Sequence, residues 1–420
     1  MYNNILILST PDINQASGII AYDLCLGLRK YTKCDIVVYA TNSKDAISYS
    51  NKLLYYQKKV LGKLRSKLGL NRVKTDPNYY FFDLNQRRKL INQKRLRKQM
   101  DGVDLVIAYF ANNFFTPSDL NEIQRIYHVP IVLIMADMIH ITGGCHFSWD
   151  CEGYTKLCED CPAILNHKFK GIAHDNLVHN QRLYKDMDIK LIALSGQDYQ
   201  KAVHSTLFKD KSVAQIFGGI DRSTFFRKEN RNELRNIYGV ESDEFTILYG
   251  ATNITEERKG FSYFVETLKH YKHSHFSKDI TVILIGHGSA GDIIGSLGFK
   301  VIALGYLNDY NTLSEVINVS DVFCVTSIQD SGPTMINQAI CCGTPVLSFN
   351  VGVASDLIQD GKTGFLARYL DSYSLSQSLG VFVNMPNEER EMMSSECIRF
   401  AEKSLDRDVV AKNILEFAIR

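Results

Sequence analysis

The 420-residue chain is short of several things, and each shortage removes a class of protein. Eight prolines and 27 glycines exclude collagen-like and low-complexity chains. No apolar run exceeds the eight residues 129–136 (VPIVLIMA), far below the ~18 needed to cross a bilayer. The opening MYNNILILSTPD has neither a basic start nor a small-residue cleavage site, so a cytosolic chain is expected. Ten cysteines in a reducing compartment favour metal binding or plain packing over disulfides. Net charge is scarce too. The 48 Lys/Arg against 46 Asp/Glu leave +2, which as a sum argues against a polyanion-binding protein.

What is present is a soluble globular composition, 45% hydrophobic and 22% charged. At roughly 150 residues per domain, the length suggests two or three domains. Short apolar runs alternate with helix-length amphipathic stretches throughout. Strands are expected at 4–8 (NILIL), 35–39 (DIVVY), 104–108, 131–135 and 190–194, and again at 245–249, 280–285, 301–304, 321–325 and 345–349. Runs of four to six β-branched residues between helical stretches imply parallel sheets covered on both faces. The charged stretch 227–244 suits a surface connection between two such units. In sheets of this kind, ligands sit beyond the carboxyl ends of the strands, so a cleft between two doubly wound domains is the expected site.

Residues 52–98 depart from this pattern. They carry fifteen Lys/Arg and two acids, a net +13 that leaves −11 on the rest of the chain. Leu53, Leu54, Val60, Leu61, Leu64 and Leu68 alternate with the bases. A basic amphipathic segment suits an anionic membrane surface, where each base adds ~1 kcal/mol. A solvated face of two surface helices is the plainer alternative. Nucleic acid is not expected, because no recognised binding motif accompanies the bases.

Residues 326–346 (TSIQDSGPTMINQAICCGTPV) read as a strand end, a Gly-Pro loop, a helix starting near Thr334 and a Gly-Thr-Pro stop. Amides at such a helix start, aided by the helix dipole, bind anions. The stretch resembles the signature of family-4 glycosyltransferases of the GT-B fold: an acid, seven residues, a Glu, then A-x-x-x-G-x-P-V. Residues 350–358 (NVGVASDLI) and 360–366 (DGKTGFL) continue the likeness. So do 216–221 (IFGGID) with Phe225-Phe226, Gly250-Ala251 through Arg258-Lys259-Gly260, Ile285-Gly286-His287-Gly288 and Leu304-Gly305-Tyr306-Leu307. Residues 137–148 (DMIHITGGCHFS), followed by Cys151, Cys158 and Cys161, resemble the colanic-acid-type bacterial polysaccharide subgroup.

The resemblance implies two Rossmann-like domains facing each other across a cleft. These are an acceptor-side domain at 1–210, with a cysteine insertion at 145–161, and a nucleotide-sugar domain at 211–395. A C-terminal helix at 396–420 is expected to pack back on the first domain. Arg258 and Lys259 match the diphosphate clamp, and Asp330 matches the acid of the loop around the donor sugar. The donor is expected to meet Gly286, Tyr306, Leu307, Ser331, Gly332, Pro333, Thr334 and Gln338. Gly18, Asp137 and His140 fall on the acceptor side. Three positions depart from the family: Ala136 where a His is expected, Ala251 where an Arg is expected, and Gln338 for a ribose-gripping Glu. Without charge assistance, the Gln contact is roughly half as strong. The plainer reading of Gln338 is a helix-surface glutamine, and that of Arg258-Lys259 a solvated turn.

Cys145-x5-Cys151-x6-Cys158-x2-Cys161 offers four thiols in 17 residues. A structural zinc without catalytic role, unliganded reduced thiols and disulfides are the three readings. The implied activity is retaining, metal-independent transfer of a sugar from a nucleotide-sugar donor to a lipid-linked glycan at the inner face of the cell membrane. The alternative is a GT-B protein that binds sugar nucleotide or a partner without turnover.

Overall fold

In the computed structural model, residues 2–50, 57, 60–61, 64, 68, 73–82, 85–111, 113–274 and 278–420 are described. Seven of the fifteen bases in 52–98 lie outside the described residues, as does Asp83. The chain divides into two units. One comprises Met1–Leu194, Asp198–Ile216 and Val410–Arg420, and the other Ser195–Gln197 and Phe217–Val409.

The first unit is built on β1 (Asn4–Ser9), β2 (Lys33–Val38), β3 (Ile47–Ser48), β4 (Leu105–Ala108), β5 (Ile131–Met135), β6 (Ile189–Ala193) and β7 (Val213–Gln215). They form one parallel sheet in the order β3-β2-β1-β4-β5-β6-β7. The period-2 alternation of a strand feeds two cores. Leu6 and Leu8 pack into one, and Ile5 and Ile7 into the other. Helix α1 (Ala16–Leu28) lies on the second face, where Leu24 and Leu28 join Ile5 and Ile7.

The same face takes Val410, Ala411, Ile414, Leu415 and Ala418 from the terminal helix Arg407–Ile419. Lys190 Nζ donates to Ala418 O at 2.7 Å, satisfying a carbonyl at that helix's end. Residues 396–420 contain a break: Asn387–Ser404 ends before Arg407–Ile419 begins. There the backbone pairs with Ile220 instead of continuing a helix. Ile220 N donates to Leu405 O at 2.8 Å, and Arg407 N donates to Ile220 O at 3.1 Å.

The second unit holds β8 (Phe245–Asn253), β9 (Ile280–His287), β10 (Lys300–Gly305), β11 (Val322–Val325), β12 (Val346–Phe349) and β13 (Gly364–Ala367), in the parallel order β10-β9-β8-β11-β12-β13. Ile283 and Ile285 face one core, and Val282 and Leu284 the other. Both units are parallel-sheet, Rossmann-like α/β domains, as expected. The sequence reading finds ten strands but misses β3, β7 and β13. All three are two to four residues long and only partly buried, and none contains a run of β-branched residues.

Candidate active site

The strand order fixes where a ligand site can form in the second unit. From β8 the chain winds outward through β9 and β10, then returns to β11 on the other side of β8. The β8/β11 pair is therefore the topological switch point, where the loops leaving the two carboxyl ends diverge and open a crevice.

The loop after β8 carries Glu256, Arg258 and Lys259, the last two in a single turn of 3-10 helix ahead of α2 (Phe261–Lys272). Gly260 lies between them and the helix, at φ +66°. A Cβ there would stand 1.9 Å from Thr326 O, so the β8 loop can press against the end of β11 only because residue 260 has no side chain. The Thr326 hydroxyl donates to Gly260 O at 2.8 Å, Tyr249 OH donates to Lys259 O at 2.9 Å, and Ile328 N donates to Arg258 O at 2.8 Å. These bonds lace the two loops together.

Across this seam, Asp330 receives both cations. Arg258 Nη1 donates to Asp330 Oδ2 at 3.0 Å, and Lys259 Nζ bonds the same oxygen. Gly332 N donates to Asp330 Oδ1 at 3.3 Å. Glu256 holds the other edge of the guanidinium, through Nε and, at 3.4 Å, through Nη2. The side chains of Arg258 and Lys259 are 17% and 14% exposed, which removes the solvated-turn reading. Burial works to raise the Asp330 pKa, but Lys259 and Arg258 outweigh it and hold the carboxyl below its ordinary value.

Ser331, Gly332 and Pro333 lead into helix α3 (Thr334–Cys341), which carries Gln338. Gln338 is 4% exposed, so the helix-surface reading is also removed. Its Oε1 is buried and makes no hydrogen bond to the described residues. On the same helix, Asn337 Nδ2 donates to Gly218 O at 3.0 Å, fixing the 216–221 segment. Gly286 and Tyr306 lie at the carboxyl ends of β9 and β10, and Leu307 packs against the adjoining core. The Tyr306 ring stacks on His287, with centroids 4.6 Å apart and planes 13° from parallel. Motif spacing does not mark Glu256 or His287 as site residues; the fold brings both there.

In the first unit, Gly18 starts α1 against the loop after β1, where a Cβ would meet Asp12 O at 2.0 Å. Asp137 follows β5. Its Oδ1 accepts from Ile139 N at 2.9 Å, and its Oδ2 pairs with His146 Nδ1 at 2.9 Å. Burial acts to raise the Asp137 pKa, and His146 with its hydrogen bond reverses this, so the net shift is downward. His140 turns instead to Tyr109 O, with Nε2 at 2.9 Å, and burial depresses its pKa.

Cys145, Cys151, Cys158 and Cys161 are all free thiols. They line a common cavity of about 10 Å³ together with Tyr79, Phe81 and Tyr154. Burial pushes the Cys158 thiol up to about 12 and raises Cys145 and Cys161 as well. Among the described residues, no group of three or more His, Cys, Asp or Glu side chains is arranged to hold a metal ion.

Two Rossmann-like units, one with paired cations at a switch point, place the chain in the doubly wound α/β class. Residues 244–383, which include Glu256, Arg258, Lys259, Asp330 and Gln338, match the family model described as "Glycosyl transferases group 1". The chain is 22% identical over 198 residues to the UDP-Gal:alpha-D-GlcNAc-diphosphoundecaprenol alpha-1,3-galactosyltransferase of Escherichia coli, covering 45% of this chain and 50% of that one. It is 24% identical over 250 residues to the putative colanic acid biosynthesis glycosyl transferase WcaC of Escherichia coli K12, covering 56% of each. These matches span about half the length of those relatives. The crystal structure of Anabaena HepE in complex with UDP and glucose is similar over 99% of this chain and 98% of that one, with TM-score 0.60 and 16% identity. The fold is that of the GT-B glycosyltransferases.

Proposed function

We propose that this protein is a retaining, metal-independent glycosyltransferase. It moves a sugar from a nucleotide-sugar donor to a lipid-linked glycan in surface-polysaccharide synthesis. The observation that carries the reading is the pair Arg258 and Lys259 at the β8/β11 switch point, partly withdrawn from solvent and opposite Asp330. A departing nucleoside diphosphate develops negative charge as the anomeric C–O bond breaks. Two preplaced cations stabilise that charge without a metal. In the retaining course, the freed phosphate oxygen takes the acceptor hydroxyl proton as the new C–O bond forms on the same face of the sugar. Gln338 Oε1, buried and free of hydrogen bonds to the described residues, is suited to accept from a ribose hydroxyl. The E. coli relative whose name specifies UDP-Gal and a diphosphoundecaprenol-linked sugar supports this donor and acceptor class.

Membrane contact through 52–98 belongs to the same reading. Among the described residues, no helix is long and apolar enough to cross a membrane. Val60, Leu61, Leu64 and Leu68 stand 49–68% exposed within the basic segment. An anionic inner leaflet would attract the bases and take up those aliphatic groups.

A second reading, binding without turnover, is favoured by one specific observation: Asp330 itself neutralises both cations. The first test is thermal stabilisation by UDP-, GDP- and other sugar nucleotides. A donor at 100 times its Kd adds about 2.7 kcal/mol. One nucleotide class should raise the Tm with the logarithm of its concentration once above the Kd. No shift with any of them would contradict the enzyme and sugar-nucleotide binding alike, leaving only binding of another partner.

A further inference from the structure

The clamp described above is not an exposed pair of cations waiting for an anion. It is a four-group cluster of two cations and two carboxylates. The two carboxylates hold different edges of one guanidinium. Glu256 takes Nε and Nη2, on the side nearer the chain, and Asp330 takes Nη1 together with Lys259 Nζ. A guanidinium presents its donors in a rigid fork, so with Glu256 in place the Nη1 edge is the one turned to Asp330. That edge and Lys259 Nζ are also what a diphosphate needs. Both cations are mostly withdrawn from water, so an incoming phosphate competes with Asp330 for the same donor groups.

We propose that the clamp is an anion-exchange site. Asp330 is its resident counter-ion in the free protein, the donor's diphosphate displaces the Asp330 carboxylate, and Glu256 keeps Arg258 aimed through the exchange. Glu256 is thus a positioning residue acting through Arg258. Displacement frees the Asp330 carboxylate, on the loop that leads into α3, at the moment the donor arrives. The inference rests on the reading of Arg258 and Lys259 as a diphosphate clamp.

The two acids behave oppositely under this proposal, whereas a simple charge effect would make them behave alike. Removing Asp330 leaves the cations without their competitor, and charge-assisted bonds of this kind are about twice as strong as neutral ones. Removing Glu256 also raises the local positive charge, but it releases the guanidinium from its fixed orientation, and that preorganisation is lost on binding.

The experiment is calorimetric titration of the full-length chain with inorganic pyrophosphate in metal-free buffer. It compares the unaltered protein with Lys259→Ala, Asp330→Asn and Glu256→Gln, each checked for an unchanged melting profile; Asp330→Ser substitutes if the Asn variant does not fold. We expect Asp330→Asn to bind about tenfold more tightly than the unaltered protein. Glu256→Gln should bind no more tightly, and Lys259→Ala at least tenfold more weakly. If Asp330→Asn gains nothing while Lys259→Ala still loses affinity, the clamp stands and the exchange is overturned. If both acid variants tighten binding alike, the role given to Glu256 is overturned. If neither the unaltered protein nor Asp330→Asn binds pyrophosphate, the clamp reading itself fails.

Discussion

Arg258, Lys259, Asp330 and Gln338 are each ambiguous as letters in a sequence, and their neighbours decide between the readings. A basic dipeptide after two glutamates reads as a surface turn until Asp330, about seventy residues on, closes over it. The motif spacing therefore names three of the four clamp residues, but it cannot name Glu256. That acid acquires a role only because the turn bends its carboxylate back onto the Arg258 guanidinium. Likewise, His287 gains meaning only from Tyr306, which reaches it from the next strand. Gln338 is the residue-scale test of the nucleotide site. Its Oε1 has no bond among the described residues to lose, so Gln338→Ala should cost only the packing of the buried stem, about 1–3 kcal/mol. Affinity for UDP should nevertheless fall by roughly two- to tenfold, as expected for one net hydrogen bond. Titration calorimetry reads this directly, and an unchanged affinity would remove Gln338 from the site.

At the scale of elements, the central strands are legible because both faces are buried and they carry unbroken apolar runs of four or five residues. The edge strands are not, since β3 and β7 owe their extended form to one neighbour's hydrogen bonds instead of to their own composition. The break at 405–406 pairs with Ile220 from elsewhere in the chain, and Asp406 marks it locally by accepting from Asp408 N at 2.8 Å. The Gly260 turn is the element on which the site depends. Gly260→Ala would place a side chain at φ +66° and 1.9 Å from Thr326 O. A destabilisation of about 2–4 kcal/mol is expected from strain plus displacement of the laced loops, read as a lower urea midpoint. A change under about 0.5 kcal/mol would mean that the two loops are not held as described.

For the whole molecule, the near-zero net charge conceals a division between +13 in residues 52–98 and −11 elsewhere. The sum alone argues against an anionic partner, whereas the distribution allows a lipid surface at the basic segment. The first unit gives less away than the second. Its Asp137 is committed to His146 and its His140 to a backbone carbonyl, contacts that motif spacing does not reveal. The central claim is catalytic transfer with the leaving diphosphate held by Arg258 and Lys259. The most direct test is release of nucleoside diphosphate from the stabilising sugar nucleotide, with and without a polyprenyl-diphosphate-linked sugar acceptor, for the unaltered chain and Lys259→Ala. The account predicts acceptor-dependent release by the unaltered chain and at least a hundredfold loss in the variant, consistent with removing one preplaced charge from a transition state. Full activity in Lys259→Ala would contradict the clamp. Tight donor binding without any acceptor-dependent release would contradict the enzyme and leave a binding protein.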